Sequence, residues 1–355
     1  MMDDMTSKKI AQKTVEQLVT WYESQYRDLP WRTKDPNPYK VWISEVMLQQ
    51  TTSQAVKAYY KSFLEAWPRV DDLSRASQEE VYEKWQGLGY YSRARNILKA
   101  SKIVVKDYDS KFPKSSKELL KLPGIGPYTA SAIASICFEE PIGVVDGNVL
   151  RVFNRLIGEK TEWWTQSFHK KTGEFSNQLC RLGYKPSKVN QALMDLGATI
   201  CTPKSPACML CPIKENCVSR KKDIQLELPI KRPRKAKEIW LYEIYKNSFE
   251  NKKQNEISND GVLNVEVHEN QPVLKSKPLP QGRFKKLTEK PKRFSFSHSI
   301  TNHQIYVDFK NLPKKSSKSL SDQRSRKITV KELVRTTPSS LIKKIWQSKD
   351  FHESM

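Results

Sequence analysis

The sequence has no apolar run of the length, about 18 residues, that a membrane-spanning helix needs. Its start, Met1-Met2-Asp3-Asp4, lacks the basic and apolar regions of a secretory signal peptide. Hydrophobic residues make up 37% of the 355 residues, below the usual share of a globular protein. The composition predicts a soluble cytoplasmic protein without a secretory signal, in which only part of the chain builds a core.

Acidic residues are too few to balance the basic ones. The chain has 62 Lys and Arg against 39 Asp and Glu, a net charge of +23. Most of this excess lies in residues 219–355, which hold 31 basic and 15 acidic residues. Such an excess favours a polyanionic partner, because each neutralised phosphate releases counterions. A solubilising surface with a basic tail is the alternative interpretation.

Cysteine is scarce outside one short segment. Four of the six cysteines follow the pattern C-x6-C-x2-C-x5-C, at Cys201, Cys208, Cys211 and Cys217. Disulfides are rare in the cytoplasm, so four crowded thiols indicate a metal or cluster site. Ligation by four cysteines suits a [4Fe–4S] cluster, but the spacing alone leaves zinc open. No flavin or nicotinamide motif accompanies the site, so we expect it to have a structural role, holding a loop of the fold in place, and not a role in redox catalysis.

The apolar spacing predicts an almost wholly helical domain over residues 1–218, with helices joined by short loops. The expected helices are Ile10–Tyr26, Val41–Gln50, Thr52–Trp67, Gln78–Gln86, Ser92–Lys106, Ser116–Leu122, Tyr128–Cys137, Gly147–Ile157 and Lys188–Ile200. Proline and glycine separate many of them. The fold class is therefore predicted to be mainly α.

The composition changes after the last cysteine of the group. Residues 219–237 form a basic, proline-bearing linker. A smaller α+β domain is predicted over residues 238–347, followed by a tail at 348–355. Its expected strands are Ile239–Tyr245, Val262–Val267, Phe294–Phe296 and Gln304–Phe309, and the segment Ile328–Gln347 is expected to close it with a helix.

A glycine-containing turn lies between two predicted helices, in the segment Leu122–Ala130. Gly124 and Gly126 allow a tight hairpin whose backbone amides precede the next helix. The N-terminal end of a helix carries positive partial charge and can bind phosphate without reading sequence. A plain helix–helix turn is the alternative.

Two carboxylates stand out. Glu45 lies among Trp42, Ile43, Val46 and other apolar residues, so it must face a cleft or find a partner, and its pKa should be raised. Asp146 precedes a predicted helix, where an N-cap is the ordinary role of an aspartate. A raised-pKa acid together with an ionised carboxylate can break a glycosidic bond. Sequence alone does not bring the two together.

Several motifs in order along residues 15–217 resemble the MutY family of adenine DNA glycosylases, in the helix-hairpin-helix base-excision superfamily. They are Leu29–Arg32, Trp42–Thr51, Gly87–Arg95, the Gly124–Gly126 hairpin, Asp146–Val149, Asn190–Ala198 and the cysteine group. The resemblance implies a two-lobed helical domain with a [4Fe–4S] cluster on the four cysteines. It also implies removal of adenine mispaired with 8-oxoguanine or guanine in double-stranded DNA, by a monomeric, nucleoid-associated enzyme that does not bind membranes.

The same resemblance implies roles for individual residues. Glu45 would protonate adenine and then activate water, Asp146 would stabilise the sugar cation, and Asn148 would support both. Gln191, Arg32 and Trp31 would bind the extruded adenine. Gln50, Leu88 and Tyr90 would enter the duplex; for Leu88 the alternative is a core residue. Gly124, Gly126 and Tyr128 complete the expected DNA-binding set.

Tyr128 distinguishes the MutY family from endonuclease III-like enzymes, which share the hairpin, the aspartate and the cysteine pattern. Those enzymes carry a lysine at this position, which forms the Schiff base needed for strand cleavage. The tyrosine therefore predicts a monofunctional glycosylase. An endonuclease III-like glycosylase-lyase and a non-catalytic DNA-binding module remain as alternative hypotheses.

The C-terminal domain of the MutY family resembles Nudix hydrolases and checks for 8-oxoguanine. The matching segment here is Phe296-Ser297-His298, which we expect to form a loop that approaches the oxidised base. The Gly-rich Leu-Trp-x-Phe-Pro stretch expected between the first strands of such a domain is missing. The sequence therefore departs from the family pattern in this domain.

Overall fold

The computed structural model describes residues 4–233, 237–245, 249–250, 262–267, 278–280, 282–300, 303–310, 325–329, 333 and 340–348. The chain divides into two compact units, Met1–Arg232 and Pro233–Met355. In the described part of the chain, no helix is both long enough and apolar enough to cross a membrane.

The first unit is helical, as predicted. Its α-helices are α1 Asp4–Gln25, α2 Pro38–Leu48, α3 Ser53–Ala66, α4 Val70–Ser74, α5 Gln78–Lys84, α6 Ser92–Asp107, α7 Ser116–Leu119, α8 Pro127–Phe138, α9 Gly147–Ile157, α10 Gln166–Cys180, α11 Pro186–Asp195 and α12 Val218–Lys221. A π-helical segment, Leu196–Ile200, continues α11, and short 3₁₀ turns cover Cys208–Leu210 and Lys214–Asn216.

Helix α2 shows how the sequence fixes these elements. The Asn37 side chain accepts a hydrogen bond from the Lys40 amide, and Pro38 occupies the first turn. An N-cap and a proline at that point satisfy or remove amides that have no partner within the helix. Almost all of the following residues are buried, which explains why the segment shows no alternation of polar and apolar residues.

Two large apolar clusters form most of the core of the first unit, and a smaller one gathers Leu150, Phe153 and Phe168. One gathers α2, α3 and α6 around large aromatic residues, among them Trp42, Phe63 and Trp85. The other joins α1, α9 and α11 through residues such as Leu18 and Val149. Helix α8 contacts both α2 and α11. It therefore brings the two clusters together, and the ends of several helices converge beside it.

Helix α10 is absent from the sequence-based expectation. Its buried face combines Phe168 and Leu179 with the hydroxyl residues Thr172 and Ser176. Hydroxyl groups on the buried face interrupt the apolar stripe from which a helix is predicted. The Thr172 hydroxyl donates to the Phe168 carbonyl within the helix, so this hydroxyl group is buried with a partner.

The second unit contains two four-stranded sheets in its described residues. The strands are β1 Glu238–Tyr245, β2 Phe249–Glu250, β3 Val262–Val267, β4 Pro278–Pro280, β5 Gly282–Leu287, β6 Phe296–Ile300, β7 His303–Lys310 and β8 Ser325–Thr329. The first sheet has the order β5-β1-β7-β6, with β1 and β7 parallel. In the second sheet β3 pairs with β2, β4 and β8.

The core of the second unit lies on one face of the first sheet. Tyr242, Ile305 and Val307 are fully buried there, together with residues of a C-terminal helix, α13, Ser340–Gln347. The predicted closing helix is thus present over Ser340–Gln347, whereas Ile328, at the start of the predicted segment, lies in β8 and pairs with Leu263. The helices of the first unit, together with the sheets and helix of the second, confirm the predicted class: mainly α with a smaller α+β part.

Candidate active site and cysteine cluster

A cavity of about 620 Å³ opens where α2, α8, α9 and α11 approach one another. This volume is within the range of ordinary ligand pockets. Eight predicted site residues line it: Trp31, Arg32, Glu45, Gln50, Tyr128, Asp146, Asn148 and Gln191. The fold therefore brings together the two carboxylates that sequence alone could not connect.

Glu45 reaches the cavity from the buried helix α2 and is only 5% exposed. The Tyr128 hydroxyl donates to Glu45 Oε2 at 2.5 Å. Burial raises the pKa of Glu45 to about 7, and the charge of Asp146 acts in the same direction. The Tyr128 hydrogen bond and the Arg32 charge oppose the shift without cancelling it. Glu45 can thus hold and release a proton near neutral pH.

Asp146 is the N-cap of α9, so the ordinary role foreseen for it is present. Its Oδ1 accepts from the Val149 amide at 2.7 Å, and its Oδ2 accepts from Asn148 Nδ2 at 2.8 Å. Burial raises the pKa of Asp146, although both hydrogen bonds act to lower it. Capping fixes the carboxylate at the positive end of a helix while it still lines the cavity.

Two arginines on the cavity wall share one buried aspartate. Arg32 Nη1 and Nη2 lie 2.6 and 2.8 Å from the two oxygens of Asp195, and Arg27 Nε lies 2.7 Å from Oδ1. Burial acts to raise the pKa of Asp195, but the Arg32 and Arg27 interactions outweigh it and hold the pKa below its ordinary value. The paired charges fix Arg32 beside Glu45.

Arg151 connects the Asp146–Asn148 pair to the cysteine segment. Its Nη2 donates to Asn148 Oδ1 at 2.8 Å and to the Gly197 carbonyl at 2.7 Å, and its Nε donates to the Cys201 carbonyl at 2.8 Å. One side chain therefore joins the cavity to the start of the cysteine group.

The π-helical segment packs directly against the same pair. A Cβ atom on Gly197 would lie 2.5 Å from Asn148 Cβ and 3.0 Å from its Cα. Real Cβ atoms do not approach neighbours this closely, so only glycine fits against Asn148 here. π-Helical turns are often found at functional sites, and this one leads directly into Cys201.

The residues predicted to hold adenine surround the rest of the cavity. Trp31 is 7% exposed and packs edge-on against Tyr60, with ring centroids 5.4 Å apart. Gln191 Nε2 donates to the Ser187 carbonyl one turn earlier in α11. Its amide oxygen and the Trp31 ring supply polar and flat surfaces of the kind that recognise a base.

The predicted hairpin is present and is shaped by one glycine in particular. Gly124 has φ +78°, and a Cβ there would lie 2.6 Å from Asn96 Cβ. Gly126 is the N-cap of α8, with Pro127 in the first helical turn. Both glycines are exposed, so the hairpin backbone lies at the surface as a phosphate-binding turn requires.

The three residues predicted to enter a duplex differ in their surroundings. Gln50 and Tyr90 are exposed and have left-handed backbones, with φ of 60° and 48°. Leu88 is only 6% exposed and belongs to the aromatic core cluster. Its prediction as a surface wedge is not supported by this arrangement, because the side chain packs inward.

The four cysteines of the group line one small cavity after the π-helical segment. Within the described part of the chain, the four cysteines included, no three Cys, His, Asp or Glu side chains are arranged to hold a single metal ion. Four thiols that surround a space suit a polynuclear cluster, in which each iron takes one thiolate.

Arg155 supports this assignment. It is 1% exposed, and its Nη1 donates to Cys201 Sγ at 3.3 Å and to the Thr202 carbonyl at 2.7 Å. Its Nε donates to the Leu228 carbonyl at 2.8 Å. A buried cation beside thiolate ligands offsets their negative charge. Cys201, Cys208, Cys211 and Cys217 thus fit a [4Fe–4S] cluster, which they would hold as thiolates.

The predicted lesion-recognition residues form the start of β6, not a loop. Ser297 lies opposite Tyr306 of β7, and His298 lies opposite the buried Ile305. Successive side chains of a strand point to opposite faces. His298 is therefore on the face that carries the core, where burial and the Lys344 charge lower its pKa, and Ser297 is on the other.

Sequence reasoning missed the charged residues that position the site: Arg27, Arg93, Arg151, Arg155 and Asp195. One signal was available for Arg151, which follows Asn148 by three residues and so shares its helical face. Arg27, Arg155 and Asp195 are paired with residues far along the chain, for which local sequence offers no signal. Arg93 bonds both to the distant end of α2 and to the nearby Leu88 and Gly89.

Comparison with known families agrees with this geometry. The HhH-GPD superfamily of base excision DNA repair proteins matches residues 43–178. The iron–sulfur binding domain of endonuclease III matches residues 201–217. The cysteine group is therefore a [4Fe–4S] binding site, which settles the choice that spacing left open.

Several relatives are adenine DNA glycosylases. One from Buchnera aphidicola (Schizaphis graminum) is 38% identical over 240 residues, covering 65% of this chain and 68% of the relative. The mouse protein is 44% identical over 210 residues, covering 56% of this chain. The chain spans only 40% of the length of the mouse relative and 38% of the Arabidopsis thaliana one.

Solved structures show the same architecture. A thermostable thymine-DNA glycosylase aligns with a TM-score of 0.55 and 30% identity, covering 61% of this chain and 99% of the other. An endonuclease III–DNA complex aligns with a TM-score of 0.51 and 26% identity, covering 63% of this chain and all of the other. The chain belongs to the HhH-GPD superfamily and, within it, to the adenine DNA glycosylase family.

The cysteine site predicts a defined metal content. Anaerobically purified protein should contain about four iron atoms with matching sulfide and negligible zinc, measured by elemental and sulfide analysis. Cys208→Ser should lower the iron content and weaken folding or DNA binding. Cys137→Ser, outside the group, should retain the iron. Stoichiometric zinc without iron in the native protein would contradict the assignment.

Proposed function

We propose that this protein is a monofunctional DNA glycosylase that hydrolyses the N-glycosidic bond of adenine mispaired with 8-oxoguanine or guanine. The observation that carries the proposal is the single cavity that holds Glu45, Asp146 and Tyr128. Membership of the adenine DNA glycosylase family supports the choice of base.

The reaction begins with extrusion of adenine from the duplex, because its reacting bond is inaccessible within the stack. Extrusion costs a few kcal/mol, which side chains entering the duplex help to offset. Gln50 and Tyr90 are exposed and suited to this role. The flat Trp31 ring and the Gln191 amide then receive the base in the cavity.

Bond cleavage needs a proton on the base, because adenine leaves poorly as an anion. Glu45 has a pKa of about 7, so a large fraction of it is protonated at neutral pH. It donates this proton to adenine N7 while the Tyr128 hydroxyl holds its carboxyl group in place. As a carboxylate, Glu45 can afterwards take a proton from the attacking water.

Asp146 stabilises the positive charge that develops on the sugar. Its carboxylate lies at the edge of the same cavity and is held by the Val149 amide and the Asn148 side chain. Both interactions favour the ionised form that an oxocarbenium-like transition state requires. Asn148 thereby acts on Asp146 and not on the substrate.

Double-stranded DNA is the partner that this reaction requires. The net charge of +23 and the exposed hairpin at Gly124 and Gly126 support binding to the phosphate backbone. The proposal further assigns the helical domain (residues 1–218) to catalysis and residues 238–347 to lesion recognition. It takes the protein to act as a cytoplasmic monomer.

Product analysis on one labelled duplex tests the proposed activity. With adenine opposite 8-oxoguanine, the protein should release free adenine and leave a strand that breaks only after base treatment. Tyr128 supplies no amine for a Schiff base, so little strand scission should precede that treatment. Scission without base would indicate a glycosylase-lyase, and binding without either product would indicate a DNA-docking module.

Glu45→Gln should lower the single-turnover excision rate by about hundredfold or more, because the amide cannot donate the proton. In the unmodified protein the rate should fall as the pH rises through about 7, where Glu45 loses its proton. It should also fall at low pH, where Asp146 becomes protonated. The variant should still bind the duplex in a gel-shift assay.

Glu83→Gln is a suitable control, because Glu83 is exposed on α5, outside the residues lining the cavity. This change should leave both rate and pH profile unaltered. Excision by Glu45→Gln near the unmodified rate would remove Glu45 from the mechanism.

The second unit gives a prediction about lesion preference. 8-Oxoguanine differs from guanine at C8 and N7, and a site that bonds those atoms leaves polar groups unpaired against guanine. Ser297→Ala combined with His298→Ala should therefore reduce the preference for adenine opposite 8-oxoguanine over adenine opposite guanine, by about tenfold. Excision at high enzyme concentration should survive, because Glu45 and Asp146 are unchanged.

The single variants separate the two faces of β6. Since Ser297 and His298 point in opposite directions, one of the two changes should carry most of the effect. The ratio of single-turnover rates on the two duplexes is the measurement. A ratio that is the same in all three variants as in the unmodified protein would show that this segment does not read the lesion.

A further inference from the structure

Arg93 is a buried arginine near the start of α6, and its side chain reaches the end of α2. It is 9% exposed. Its Nη1 lies 2.7 Å from the Val46 carbonyl, 3.2 Å from the Met47 carbonyl and 2.8 Å from the Gln49 carbonyl. These carbonyls have no partner within the ending helix, and they carry its negative partial charge. The guanidinium therefore closes the end of the helix that carries Glu45.

The other amino group of Arg93 holds a second segment. Nη2 donates to the Leu88 carbonyl at 2.8 Å and to the Gly89 carbonyl at 3.3 Å. Trp85 Nε1 also donates to the Gly89 carbonyl, at 3.0 Å. The Arg93 guanidinium lies 5.3 Å from the Trp85 ring centroid and 5.7 Å from that of Tyr90. Carbonyls and two aromatic faces surround its charge, and its buried Nε has no hydrogen-bond partner in the described part of the chain.

The two segments have one feature in common. Gln49 directly precedes Gln50, and Gly89 directly precedes Tyr90, so one guanidinium holds the peptide before each of these exposed residues. Both Gln50 and Tyr90 have positive φ, a conformation that non-glycine residues adopt only when the surroundings impose it. The hydrogen bonds of Arg93 are part of what imposes it.

We propose that Arg93 is a positioning residue that fixes Gln50 and Tyr90 relative to each other, so that both side chains enter the duplex at one base step. The proposal rests on the proposed function, in which these two residues intrude into DNA. Arg93 does not itself touch the substrate. Lysine cannot replace it, because a single ammonium cannot span five carbonyls on two segments.

The test uses a duplex with 2-aminopurine beside the target adenine, whose fluorescence rises when the base unstacks. Arg93→Lys should slow unstacking by about tenfold and lower single-turnover excision in parallel. Arg75→Lys is the matched control, since Arg75 is an exposed arginine that pairs with Asp72. It should behave as the unmodified protein.

Coupling between the two intruding residues separates positioning from a general loss of stability. Gln50→Ala and Tyr90→Ala should have non-additive effects on unstacking when Arg93 is present, because the side chains act together. In the Arg93→Lys background the two effects should become additive. A folding defect alone would lower the amount of active protein without changing this coupling.

Two results would overturn the proposal. One is unstacking by Arg93→Lys at the unmodified rate, whether or not excision is slow. The other is coupling that is unchanged in the Arg93→Lys background. Absence of adenine release by the unmodified protein would instead refute the proposed function.

Trp85→Phe keeps the test decisive if Arg93→Lys fails to fold, as judged by circular dichroism. This change removes one of the three side-chain hydrogen bonds to the Leu88 and Gly89 carbonyls and leaves the guanidinium in place. It should slow unstacking by about threefold. Unaltered unstacking in Trp85→Phe, with Arg93→Lys unfolded, would count against the positioning role.

Discussion

The first unit is organised around a carboxyl group that is buried in an otherwise apolar helix. Leaving water disfavours the charged form of Glu45, which is why its pKa rises to about 7. Such a group is tolerated only where neighbours satisfy it, and Tyr128 provides the one direct hydrogen bond to its side chain within the described part of the chain. This hydrogen bond joins α8 to α2 at the cavity, in addition to the apolar packing between the two helices.

The ends of helices supply most of the remaining chemistry. Asp146 caps α9, Gly126 caps α8, and the carbonyls that end α2 are bound by Arg93. Groups at helix ends have free hydrogen-bonding capacity and directed partial charge, which helix interiors lack. A small all-helical scaffold can therefore build a polar cavity without opening its core, provided that several helix ends meet at one place.

Sequence predicted the elements that depend on local pattern: most helices of the first unit, the hairpin, and the cysteine group. Resemblance to a known family placed Glu45 and Asp146 in one site, which spacing could not do. The sequence pattern did not predict α10, whose buried face carries hydroxyl groups. Nor did it predict that Ser297 and His298 lie in a strand and point to opposite faces of the sheet. It also missed Arg155 and Asp195, whose partners are contributed by distant segments.

Because Gly197 packs against Asn148, a substitution at residue 197 affects both the pocket and the cysteine segment. A methyl group at residue 197 would need space now filled by the Asn148 backbone and Cβ, so either α9 or the π-helical turn would have to shift. A shift of α9 would move the carboxylate at its N-terminus, and a shift of the turn would move the first cysteine. Substitution of residue 197 is therefore constrained by both the pocket and the cysteine segment, and neither of them can be changed independently of the other.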